Sequence, residues 1–123
     1  MGQNDAVEVA VRNPAAGKDA PILVLRGYPN GKFESSDEAK APKEAVRKLG
    51  QAAQYAANVV DARHWTAEWR IPFAALGVTP SKDVKLSFNL TVRKTAGGQW
   101  MMWAGTGGYS WSVENAGFLV FAP

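Results

Sequence analysis

The residues of this chain best suited to chemistry are flat rings. Trp65, Trp69, Trp100, Trp103 and Trp111 all fall in the second half, and a glycine-rich run, Ala104-Gly105-Thr106-Gly107-Gly108, with Tyr109 lies between the last two. An indole offers an apolar face on which the C–H groups of a pyranose can lie, while nearby polar side chains fix the hydroxyls. No nucleophile, base and orienting group stand at a catalytic spacing. Cysteine is absent, which removes thiol nucleophiles and thiolate metal ligands. The single histidine, His64, sits in a turn-like Asp61-Ala62-Arg63-His64 and cannot alone build a histidine metal cluster. Glu8 and Glu68 are the carboxylates to consider for glycoside cleavage, which needs a separation of about 5 to 10 Å, but nothing in the sequence places them so. Gly105 to Gly108 is not a phosphate loop, because no lysine and no helical pattern follow it. Binding is favoured over turnover, and no enzyme activity is expected.

Strand parity divides the aromatic residues. Trp65, Ala67, Trp69 and Ile71 alternate with Thr66, Glu68 and Arg70, which assigns both tryptophans to the core. Trp103, Tyr109 and Trp111 flank or occupy the glycine-rich segment, where they either form a sugar platform or fold back over one end of the core. The polar residues allow two readings as well. If the strands carrying Glu68 and Asn89 are neighbours, Glu68, Arg70, Asn89, Thr91 and Arg93 form a bed of donors and acceptors on one side of a sheet. The alternative is a solvated face with an ordinary cross-strand ion pair.

The elements that must position these groups are mostly strands. Val7, Val9 and Val11 alternate with Glu8 over residues 6–12, and Ile22 to Leu25 leads into the turn formers Gly27-Tyr28-Pro29-Asn30-Gly31. Pro42 suits the first turn of a short helical insertion near residues 42–52, with Val46 and Leu49 as its apolar stripe. Further strands are expected over 55–60, 65–71 and 84–93, then after the turn Gly97-Gly98 over 99–103, and last over 117–121. In the 84–93 segment Val84, Leu86, Phe88, Leu90 and Val92 alternate with Lys85, Ser87, Asn89, Thr91 and Arg93, and the apolar set is expected to be the core face. The fold class is mainly β, an antiparallel β-sandwich with that one helical insertion.

Bulk properties set the frame. A chain of 123 residues with 46% hydrophobic content fits one domain over residues 1–123. A net charge of +3 with basic and acidic residues interspersed gives no basic stripe, so nucleic acid is not an expected partner. No apolar run approaches the length of a membrane span, and none is expected.

The segment Trp65-Thr-Ala-Glu-Trp-Arg-Ile-Pro-Phe-Ala-Ala-Leu-Gly77, followed by Leu86-Ser-Phe-Asn-Leu-Thr-Val-Arg93 and Asn115-Ala-Gly-Phe-Leu-Val-Phe121, resembles family 9 carbohydrate-binding modules and the wider DOMON-like sandwiches. Asp5-Ala6-Val7-Glu8 is similar to the family's Asp-x-Val-Glu strand. The resemblance implies a non-catalytic module that holds an oligo- or polysaccharide, in relatives often at a glycan terminus, between aromatic rings with polar groups beneath. It places Glu8 at a contacting carboxylate, Trp103 or Trp111 at a late clamping tryptophan, and Arg26 at the sugar-binding arginine. With Asn89, Arg93 and Tyr109 these form the candidate site.

Two departures stand out. The partner tryptophan of the clamp is expected six residues before Glu8, at Gly2, and the family's earlier strands are missing. A sandwich reduced in this way, or completed by a second chain, exposes sheet edges through which a homodimer could form. A structural or assembly sandwich that has lost the sugar site is therefore the alternative function. Haem ligation by His64 with Met101 or Met102, as in some DOMON relatives, is a third. No cofactor is required by the residues themselves, although relatives carry structural calcium, for which no oxygen cluster can be named. The resemblance also implies an extracellular or cell-surface setting within a larger polysaccharide-active protein.

Overall fold

The computed structural model describes residues 5–121, which form a mainly β, antiparallel, sandwich-like fold with one α-helix. The principal sheet runs β3 (Phe33–Ser36), β2 (Leu23–Gly27), β1 (Ala6–Arg12), β6 (Lys85–Lys94), with β7 (Gln99–Met102) and β8 (Gly117–Val120) both along the far side of β6. β7 pairs with residues 91–94 of β6 and β8 with residues 85–88, so the edge is made of two pieces. The chain between them, residues 103–116, leaves the sheet edge and returns to it.

A second layer lies on one face. α1 (Lys43–Ala52) and the hairpin β4 (Gln54–Val59) and β5 (Trp65–Arg70) cover the β3–β2–β1 side. The helix forms because Ala45, Val46, Leu49 and Ala52 recur at helical spacing, and Leu49 is wholly buried against the strand residues Val11, Leu23, Leu25 and Leu86. Trp69 and Tyr55 are cross-strand partners whose rings lie over Gly27. A Cβ on Gly27 would stand 2.3 Å from Tyr55 and 2.8 Å from Trp69, so the close approach of the layers requires glycine there.

Several expectations from the sequence are met: β1 has the bounds 6–12, the helix lies within 42–52, and the alternation in β5 puts Trp65, Ala67 and Trp69 on the inner side and Thr66, Glu68 and Arg70 outside. Three features differ. Phe33–Ser36, to which the sequence assigned no element, is a strand; it forms as the partner of β2 across the turn Tyr28 to Lys32. β5 pairs with β4 in a separate two-stranded sheet, so Glu68 and Arg70 are exposed and share no face with Asn89. The third is β6, whose polar face is the more buried over most of its length.

Candidate functional site

Register across the principal sheet assigns every site residue to a face. Glu8 stands opposite Arg26 on β2 and opposite Thr91 on β6, while Ala10 stands opposite Asn89 and Ala6 opposite Arg93. Glu8, Arg26, Asn89, Thr91 and Arg93 therefore share the face turned away from α1. This face is closed. Glu8 is 3% exposed, Arg26 5%, Asn89 1% and Arg93 7%, whereas Leu90 on the supposed core face is 36% exposed. The solvated-face reading and the open-bed reading of β6 are both corrected: Asn89 and Glu8 lie under a lid formed by segment 103–116, and the Arg93 guanidinium lies 5.6 Å from the centre of the Trp100 ring.

Asn89 holds the lid. It sits between the β7 and β8 stretches of β6, where no edge strand satisfies the passing loop. Its amide donates to the carbonyls of Ala104 and Ser110, both at 3.0 Å, and its Oδ1 accepts from the amides of Ala104 at 3.1 Å and Leu90 at 3.0 Å. With its amide committed to protein in this way, Asn89 has no donor left for a hydroxyl. Ser110 donates to Glu8 Oε1, and Thr106 donates to the carbonyl of Tyr109 at 2.7 Å. Val113 closes the lid as a buried residue against Ala10 and Val24, with Trp111 packed on the same cluster.

Glu8 belongs to an ion cluster. Arg26 Nη2 donates to Glu8 Oε2 at 2.6 Å and also to Glu38, and its Nη1 donates to Glu34 at 3.2 Å. Burial disfavours the arginine's charge, yet the hydrogen bond it donates to Glu8 and the charges of Glu38 and Glu8 outweigh it and raise its pKa. Burial pushes the Glu38 carboxyl above its ordinary value, and the like charge of Glu8 adds to the rise against the pull of Arg26. Burial and the Glu34 charge likewise raise the Tyr28 phenol, which donates to Glu34 at 3.3 Å. Glu8 is enclosed, but Glu34 and Glu38 remain about a third exposed, so the cluster meets solvent through those two carboxylates.

The rings separate. Tyr109 and Trp111 stack with centroids 4.8 Å apart and planes 6° apart, and Tyr109 is 70% exposed while Trp111 is half-buried. Ser110 lies between them in sequence and reaches Glu8, which ties the aromatic pair to the ion cluster. Trp103 is on the other face. Its amide donates to Leu90 O at 2.7 Å, which continues the β7 register, and its ring meets Phe88 and lies over Gly117. Trp103 and Trp111 thus do not form two walls of a groove around Glu8. The clamp position at Gly2 lies outside the described residues.

No family model, curated protein or solved structure matches this chain. The site must therefore be judged on its geometry. Among the described residues no group of three or more His, Cys, Asp or Glu could hold a metal ion. His64 lies in the β4–β5 turn, its Nδ1 3.2 Å from Asp61 Oδ1, and Met101 and Met102 lie on β7. No helix of the described residues is long and apolar enough to cross a membrane.

Sequence reasoning missed Ser110, Thr106, Glu34 and Glu38. Thr106 sits in the glycine-rich run and Ser110 two residues after it, where side chains carry no periodic signal. Glu34 was legible only through the missed strand β3, whose register sets it opposite Arg26.

Proposed function

We propose that this domain is a non-catalytic carbohydrate-binding module whose saccharide lies on the Tyr109 ring beside the Glu34 and Glu38 carboxylates. One observation carries the reading: Tyr109 presents an open face, backed by a coplanar Trp111 that is itself anchored on the Ala10, Val24 and Val113 cluster. A ring held in this way loses little freedom when a pyranose stacks on it. The two part-exposed carboxylates are acceptors for sugar hydroxyls, and Arg26 fixes their orientation from below. Glu8, Asn89 and Arg93 then act as the support of the site and not as ligands. The resemblance noted in the sequence supports this reading, and with it we propose a setting within a larger secreted or surface protein that acts on polysaccharide.

A disaccharide of about 23 non-hydrogen atoms at about 0.3 kcal/mol per atom gains at most about 7 kcal/mol, a Kd on the order of 10 µM. Calorimetric titration across a panel of oligosaccharides tests the proposal. Tyr109→Ala should abolish the response and leave the thermal midpoint unchanged. A module that binds none of the panel, or a Tyr109→Ala variant that binds as well as the parent, removes the reading.

A second reading, a structural or assembly domain, draws support from a separate fact. The buried polar residues of the site are already occupied by the chain's own lid, which is what a sandwich that has lost its ligand would look like.

A further inference from the structure

The face of the principal sheet that carries α1 is covered only in part. Reading the register outward from β1, this face presents Val7 and Val9 on β1, Phe88, Leu90 and Val92 on β6, Met101 and Trp103 at β7, and Leu119 on β8. The core residues packed under α1 and the hairpin come chiefly from β2, β1 and the first part of β6. Beyond them the covering layer stops. Leu90 is 36% exposed, Leu119 39%, Met101 50% and Trp103 59%. The hairpin does not fill the gap, because Trp69 already sits on Gly27, the last residue of β2, and the rest runs on toward an exposed Val59.

The area agrees. A self-contained folded chain of 13.2 kDa exposes about 6,400 Å². This chain exposes 7689 Å², an excess of about 1,300 Å² over that expectation. A stable interface takes about 800 Å² from each partner, and obligate homodimers take more. Leu90, Leu119, Met101 and Trp103 contribute part of that exposed area, and they lie side by side on one face of the sheet.

From this we infer that the open half of the sheet is a homodimer interface, in which a second copy lays the same half-sheet against the first and each supplies the other's missing layer. The occupant is a second copy because the patch is self-complementary. From Phe88 to Val92 on β6, and at Met101, Trp103 and Leu119, it carries no charge that would be set against itself across a two-fold axis. Two such faces pack at the spacing of a sandwich, with their apolar side chains interleaved. The interface lies on the opposite side of the sheet from Tyr109 and Glu8, so both copies keep their proposed saccharide platforms free, and the inference does not depend on that reading.

Sedimentation equilibrium or light scattering on the full chain, from about 1 to 200 µM, tests it. The expected result is a two-fold mass at the upper concentrations that does not grow further. Met101→Glu, at a half-exposed edge-strand position, should weaken dimerisation at least 100-fold, and Phe118→Glu, equally exposed on the opposite face, should leave it unchanged. Circular dichroism melts report whether the variants fold, and Leu119→Glu replaces Met101→Glu should the latter unfold. A parent chain that stays monomeric throughout overturns the inference. So does open-ended aggregation, a dimer indifferent to Met101→Glu and Leu119→Glu, or one that Phe118→Glu breaks as readily.

Discussion

Replacing Asn89 by alanine separates its structural role from a ligand-binding one. The side chain makes three hydrogen bonds to the lid, two as donor to Ala104 O and Ser110 O and one as acceptor from Ala104 N, and Asn89 is 1% exposed. A buried hydrogen bond is worth about 1 kcal/mol net, and a partner left unsatisfied costs about 1 to 3 kcal/mol. Three orphaned backbone groups therefore cost at least about 3 kcal/mol, unless the lid lifts to reach water. Lifting is itself costly, because Val113 and Trp111 would leave Ala10 and Val24. With an unfolding entropy near 2.1 cal/mol/K per residue, a loss of about 3 kcal/mol lowers the thermal midpoint by about 12 °C. Urea and thermal denaturation followed by circular dichroism measure the loss, and hydrogen exchange at the Ala104 amide reports the lid directly. The reasoning is refuted if Asn89→Ala costs less than about 1 kcal/mol, or if the Ala104 amide keeps its protection.

Other expectations follow from the same geometry. Arg26→Met strands Glu8 in the interior and should cost about 3 to 5 kcal/mol, while Glu8→Gln combined with Arg26→Met should recover part of it, as a double-mutant cycle in urea would measure. Gly27→Ala sets a Cβ 2.3 Å from the packed Tyr55 ring and should cost about 1 to 3 kcal/mol. Gly117→Ala makes an equally short contact with Trp103, but that ring is 59% exposed and can swing outward, so less than about 1 kcal/mol is expected and equal costs would argue against the layer assignment. Glu38 has a folded pKa above its unfolded value, so the folded state holds the proton longer and stability falls as pH rises from about 4.5 through the folded pKa. Glu38→Gln should remove that fall from a pH series of melts. Asp5 is the opposite case: hydrogen bonds from the Thr95 hydroxyl and amide lower its pKa, so its contribution is present at neutral pH and lost as pH drops below about 3.8 through the folded value. Asp5→Asn should leave a shallower acid limb, and an unchanged limb would count against the Thr95 contacts.

Element positions were largely legible in the sequence because they rest on local rules. Alternation marks β1, β5 and β6, and the helical spacing of Val46 and Leu49 marks α1, whatever those elements pack against. β3 was illegible because Phe33-Glu34-Ser35-Ser36 has no pattern of its own and becomes a strand only by pairing with β2. The site was partly legible. Glu8 and Arg26 were named, and the structure joins them; Trp103 was grouped with Tyr109 and Trp111 around the glycine-rich run, and the structure sets it on the opposite face from that pair.

The case of β6 shows where local information ends. A period of two establishes that Leu86, Phe88, Leu90 and Val92 face one way and Ser87, Asn89, Thr91 and Arg93 the other, and composition then names the apolar side as core. Which side is covered depends on where other segments travel. The lid from 103 to 116 returns across the polar side because Asn89, Ser110 and Glu8 satisfy one another there, while the layer of α1, β4 and β5 ends before it reaches Leu90. The sequence by itself determined the two faces of each strand, since side-chain alternation is a property of the backbone. Only the tertiary structure decided which face is interior, since burial is a relation between segments far apart in the chain.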